Sequence, residues 1–312
     1  MDFPAPPVPG RRVSLGAAAV LAGFLLLAPP LYMLGPFALL TVLSRPRTAR
    51  ELFWLVAATA GLIAGFSGSA ELVPQVLRVS AIVLSVVFVI LTARASGPVF
   101  PRALVAVAIT AAGVAIWAAV AGITWEAVER AFTEVLRGSE SLRSAAADPT
   151  ARQDVRDFVQ QVINRAPDLA RVMPGLLALE ALAGLLLAWS WHHRIASNPM
   201  GQPPARFRDF RFNDQLVWGA IFTLGLVLAP LPPAGKVVGL NLLIVWAGLY
   251  STRGLAIVAA ITAGTAPLLK LFAVVLALLL APVALGSCVA LGLADTWLNV
   301  RGRLQPSVPG GT

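Results

Sequence analysis

A chain of 312 residues that is 58% hydrophobic and 12% charged, with a mean hydropathy of +0.80, is not an ordinary water-soluble domain, where about a quarter of residues carry charge. Each bilayer crossing takes about 20 apolar residues, so this length holds about eight to ten membrane segments, and the fold class expected is an all-α polytopic transmembrane bundle. The formal charge of +9 falls in short loops between apolar runs, the pattern of topology signals and not of a nucleic-acid-binding stripe.

Residues 1–12 read as a disordered cytoplasmic tail, MDFPAPPVPG followed by Arg11 and Arg12. The apolar run 13–28 behind that pair resembles an export signal, but a small-x-small cleavage site is missing and many spans follow. Pro29 and Pro30 interrupt 13–43, which is either one kinked helix or two short segments that turn back in the membrane. Arg45, Arg47 and Arg50 favour the hairpin, since it leaves both basic ends on the cytoplasmic side. The runs 51–67, 75–93 and 102–122 then alternate and complete an N-terminal membrane region, 13–122. Glu71 falls outside, and the loop from Arg94 to Arg102 inside.

Residues 123–171 form a polar island with seven Arg and eight acidic residues. Its near-neutrality is compatible with translocation, so it is assigned to the extracytoplasmic side. Two amphipathic helices are predicted there. Val155, Phe158, Val159, Val162 and Ile163 recur at helical spacing behind a capping box of Thr150 and Gln153. The stretch 124–137 carries Trp125, Val128, Phe132, Val135 and Leu136 on one face. Both helices are expected as a cap over the bundle or along the lipid interface. The C-terminal membrane region, 172–303, contains a strongly basic loop, 192–213, assigned to the cytoplasm. Apolar runs 214–230, 236–250, 254–266 and 269–295 follow, the middle two shorter than a full crossing and therefore either tilted, fused or only partly inserted, and 304–312 read as a second disordered tail.

The chemistry sought is mostly missing. Cys288 is the single cysteine, so neither a disulfide nor a cysteine metal site forms within one chain. The sequence has no phosphate loop, no HExxH pair and no GxGxxG after a strand, and neither a cofactor nor enzymatic activity is expected. Gly65-Phe66-Ser67-Gly68 matches the nucleophile motif of rhomboid proteases. Its only potential histidine partners, His192 and His193, fall at the other membrane face, about 30 Å away, where a dyad needs about 3 Å. Polar residues inside spans are the better lead, because they are costly in hydrocarbon. Arg78, Glu180, Asn241 and Lys270 share a depth in the outer half and are the candidate ligand-binding residues, with Glu180 as counter-ion to the two cations. Snorkelling of Arg78 and Lys270 to the headgroups is the plainer alternative. Asp295 is expected to pair with Arg301 or Arg303.

Four stretches carry a family resemblance: RVMPGLLALEALAGLLL (171–187), FRDFRFNDQLVWG (207–219), GLYSTRGLAIV (248–258) and GLADTWLNVRGR (292–303). In the order and spacing of Phe207, Phe210, Arg211, Trp218, Gly248, Gly254, Asp295 and Trp297, the chain resembles the YybS-like family of bacterial inner-membrane proteins of unknown function, best over 170–303. The resemblance implies an architecture distantly similar to the substrate-binding components of energy-coupling-factor vitamin transporters, with a pocket open to the outer side. One departure is the uncharged AGTAP at 263–267, where a basic loop is expected. Two functions are in contention, the first as the leading expectation and the second as its alternative. The first is a transport component that binds an unknown small molecule at Arg78, Glu180, Asn241 and Lys270 and works with a separate energising partner. The second is a membrane scaffold that recruits partners through Phe207, Phe210, Arg211 and Trp218 and the outer amphipathic helices. The lipid bilayer is a partner in either case, and nucleic acid in neither.

Overall fold

Proline sets the first break. In the computed structural model, which describes residues 15–68, 70–95, 97–139, 144, 153–298 and 300, α1 (Leu15–Leu27) and α2 (Leu31–Leu43) are separate helices on either side of Pro29 and Pro30. A proline ring removes a backbone donor and clashes with the preceding turn, so the stretch divides rather than kinks. Leu21 of α1 packs into one apolar cluster with Met33 and Phe37 of α2. The two tails, Thr150, Arg301 and Arg303 lie outside the described residues.

Long, largely apolar runs give the next three helices, α3 (Ala49–Phe66), α4 (Leu72–Arg94) and α5 (Val99–Val120). The polar island supplies α6 (Trp125–Gly138) and α7 (Gln153–Asn164). The Thr124 hydroxyl caps α6, accepting the Ala127 N–H at 3.3 Å, and α6 packs against α4 with Phe132 buried. On α7, Val159 is buried while Val155 and Phe158 are exposed.

Helix α8 (Ala166–Ile195) continues through His192, His193 and Arg194, so the basic loop begins at Ala196 and not at 192. Basic side chains in a last helical turn suit its unsatisfied carbonyls. The loop contains a 3-10 turn at Phe207–Asp209, and another at Asp214–Leu216 leads into α9 (Val217–Leu228).

The runs 236–250 and 254–266 are not two segments. They form one helix, α10 (Pro233–Ile261), which passes straight through the apparent break at Ser251, Thr252 and Arg253. The Thr252 hydroxyl folds back on the Gly248 carbonyl at 2.8 Å, and the Arg253 charge is neutralised inside the protein. The run 269–295, in contrast, divides into α11 (Pro267–Leu279) and α12 (Ala281–Leu298). Pro282 stands in the first turn of α12, where its missing N–H costs nothing.

Among the described residues every regular element is helical. Helices α3, α4, α5, α8, α10 and α12 are long and apolar enough to cross a membrane, while α1, α2 and α9 are apolar but shorter. The protein is an all-α polytopic bundle. Its contacts divide it into a first unit, residues 1–170 and 180–204, and a second, residues 171–179 and 205–312.

Candidate functional site

In the second unit, three of the motif-bearing stretches meet at one side chain. Arg253, two-thirds of the way along α10, donates from Nε to Asp295 Oδ2 of α12 at 3.0 Å and from Nη1 to Asp214 Oδ1 at 2.7 Å. The Arg253 and Asp295 side chains are 2% and 0% exposed, and that of Asp214 is 61% exposed. The ring of Phe212 lies 5.3 Å from the guanidinium carbon. Tyr250 meets Phe212 edge-on at 5.3 Å, and Phe210 meets it at 6.1 Å.

This node exists because α10 and α12 approach at backbone distance. A side chain at Gly254 would run into the Cys288 carbonyl, and one at Gly292 into the Tyr250 carbonyl. Glycine at both positions permits the contact, as small residues do between membrane helices. Asp295 is thus paired with Arg253; Arg301 and Arg303, the partners expected from the sequence, lie outside the described residues. Sequence reasoning missed Arg253 by placing it in a loop, and missed Asp214 altogether. The available signal was an arginine within a largely apolar run whose one other charge is Lys236, near its start. Burying such a charge is tolerable only with an opposite charge and hydrogen bonds around it.

Above the node, residues 205–211 run over the surface. Phe207 is 52% exposed and Arg206, Arg208 and Arg211 are exposed, whereas Phe210 is half-buried and Phe212 buried. Trp218, at the start of α9, is 70% exposed. Of the four partner-binding candidates, Phe207, Arg211 and Trp218 thus face outward, and Phe210 supports the fold beneath them.

The four ligand-binding candidates fall in both units. In the first, Arg78 donates from Nε to the Gly65 carbonyl at 3.4 Å, and Glu180 is half-buried on α8. In the second, Asn241 joins α8 to α10. Its Oδ1 accepts the Gly175 N–H at 2.6 Å, and its Nδ2 donates to the carbonyls of Arg171 at 2.8 Å and Val237 at 2.9 Å. Lys270 belongs to α11, and its side chain lies outside the described residues.

The first unit also buries charge, by other means. The Glu51 carboxylate, 1% exposed, accepts from the Arg47 N–H at 2.8 Å and from the Thr48 N–H and hydroxyl at 2.7 and 2.8 Å. Its second oxygen takes the Ser197 N–H at 2.6 Å and hydroxyl at 2.9 Å. Arg102 donates to the carbonyls of Ala95 and Gly97, each at 2.8 Å, and of Pro98 at 3.3 Å, with its guanidinium 5.2 Å over Trp189. His192 is fully buried, and the ring Nδ1 of His193 bonds the Trp189 carbonyl at 3.0 Å. The Ser67 hydroxyl donates to the Ala64 carbonyl at 2.9 Å, as a serine that ends a helix does.

A family model described as predicted membrane protein (DUF2232) matches residues 16–296. No curated protein and no solved structure matches the chain.

Proposed function

The chain belongs to the DUF2232 family of predicted membrane proteins, and on that premise we propose that it is a multi-pass scaffold of the bacterial inner membrane, of the YybS-like kind, that recruits a membrane partner through residues 206–211. One observation carries the reading. The exposed Phe207 and Arg211 stand on a segment fastened from below, by Phe212 packed on Arg253 and by Asp214 paired with it.

A loop ordered before it meets a partner loses less conformational freedom on binding. Aromatic and arginine side chains supply most of the energy at protein interfaces. With the basic loops inside, both termini and this segment face the cytoplasm. The transport reading, with its likeness to energy-coupling-factor components, is the weaker one. Asn241 already uses its oxygen and its amide donors on Gly175, Arg171 and Val237.

The test is a paired purification after gentle detergent extraction, with wild type against Phe207→Ala/Arg211→Glu. A protein partner held in stoichiometric amount by wild type should be lost from the double variant at unchanged thermal stability. Retention of that partner by the variant, or a tightly held metabolite in place of any protein, sinks the scaffold reading.

A further inference from the structure

An apolar groove of about 330 Å³ runs within the first unit between α1, α2, α3 and α8. Its volume lies at the lower end of the range for small-molecule sites, about 300–1,000 Å³. Leu25, Met33, Leu34 and Ala57 line it, and at one end Trp54 and Trp191 close it, their rings edge-to-face with centroids 5.4 Å apart. That end is basic. The Arg194 guanidinium lies 5.8 Å over the Trp191 ring, and Arg50, one helical turn before Trp54 on the same side of α3, is exposed. The groove is therefore apolar along its length and carries two cations just beyond its aromatic end.

We propose that this groove binds one anionic phospholipid, its acyl chain along Leu25, Met33 and Leu34 and its phosphate held by Arg194 and Arg50. Charge complementarity selects the occupant. A free hydrocarbon uses the groove but not the arginines, and a zwitterionic lipid brings a second cation up to them. In a membrane, apolar burial gives little selectivity, because the surrounding lipid is equally apolar. Discrimination must come from the headgroup, where arginine binds phosphate through charge-assisted, often bidentate hydrogen bonds. Stacking on Trp191 leaves the edge of the Arg194 fork available for such bonds. Tryptophan is enriched at headgroup depth, which places the aromatic end of the groove at the glycerol level of the bilayer.

The experiment is native mass spectrometry of the full chain released from detergent containing equimolar dioleoyl phosphatidylglycerol and dioleoyl phosphatidylcholine. Wild type should retain one phosphatidylglycerol with about tenfold preference, the worth of one charge-assisted contact. In Arg50→Gln/Arg194→Gln the preference should fall to near unity while phosphatidylcholine is retained as before. Ala57→Phe, at an exposed lining position, should lose the bound lipid of either kind. Equal retention of the two lipids by wild type, or an unchanged preference in the arginine variant, overturns the proposal. A second measurement does not depend on these variants. In proteoliposomes of phosphatidylglycerol with a brominated acyl chain, the emission lost in Trp54→Phe/Trp191→Phe relative to wild type should be the quenched share, and an unquenched share refutes the site.

Discussion

Arg102 in the first unit and Arg253 in the second are both arginines buried among helices, and the protein neutralises them differently. Arg102 gives its hydrogen bonds to backbone carbonyls four to ten residues away, around the α4–α5 turn. Arg253 gives its hydrogen bonds to two carboxylates, 39 and 42 residues away. Glu51 follows the first pattern with the sign reversed, taking N–H and hydroxyl groups where Arg102 takes carbonyls. A charge set into a helix end finds partial charges already in place, since the terminal N–H and C=O groups lack helical partners. A charge in mid-helix has no such supply, because every backbone group there is taken. It needs a full opposite charge brought by the tertiary fold. In the first unit backbone and hydroxyl groups suffice, mostly from nearby residues and for one Glu51 oxygen from Ser197, whereas Arg253 is neutralised only when α9, α10 and α12 are assembled.

The contrast is most exposed to attack at Arg253. Arg253→Met leaves Asp295 buried opposite an apolar side chain and should cost about 3–5 kcal/mol, read as a large fall in the unfolding midpoint in detergent. Adding Asp295→Leu should recover most of that loss, since an apolar pair can replace a buried ion pair. A double variant no better than the single one would mean that the arginine acts by something other than its charge. In the first unit, Glu51→Ala strands the donors of Thr48 and Ser197 and should cost about 3 kcal/mol or less. Amide exchange should quicken at residues 47–51 and 197 and stay unchanged in α10; equal quickening in both would mean that the two units do not hold their charges differently.

Gly292→Ala tests the approach that creates the node. Its methyl meets the Tyr250 carbonyl, so α12 must withdraw, at about 2 kcal/mol. The smallest effect belongs to Asp214→Asn. Its carboxylate pairs with Arg253 from the solvent side, 61% exposed, so the loss should stay below about 1 kcal/mol and shrink further in high salt. A loss as large as that of Arg253→Met would put Asp214 on the same footing as Asp295.

What the sequence discloses follows the same division. Helices α3, α4 and α5 are legible because their apolar runs are long and end in charge or proline. The string Thr48-Ala49-Arg50-Glu51 is a capping-box signature in its own right, and the structure forms it in full, so Glu51 was within reach of local reading. Arg253 was not. Flanked by Ser251, Thr252 and Gly254, it imitates a loop, and only the opposite charges at Asp214 and Asp295, far away along the chain, make a continuous helix affordable there. The pairing of Asp295 with Arg253 was out of reach for the same reason, since the two lie 42 residues apart in the chain and meet only in space. The contact between Trp54 and Trp191 is likewise one that only the fold brings about, since the two residues are far apart in the chain.

The continuity of α10 also makes that helix a ruler. At 1.5 Å per residue, Pro233 and Arg253 are about 30 Å apart along its axis, one hydrocarbon thickness. Residues 237–252 between Lys236 and Arg253 carry no charge. With the Pro233 end at one boundary of the bilayer, the ion-paired node arrives at the other with little tilt required. The remaining turns after Arg253 then project past that boundary, held against α12. On that placement a thicker bilayer draws the node and its carboxylates into hydrocarbon, and the stability of the second unit should follow the width of the membrane around it.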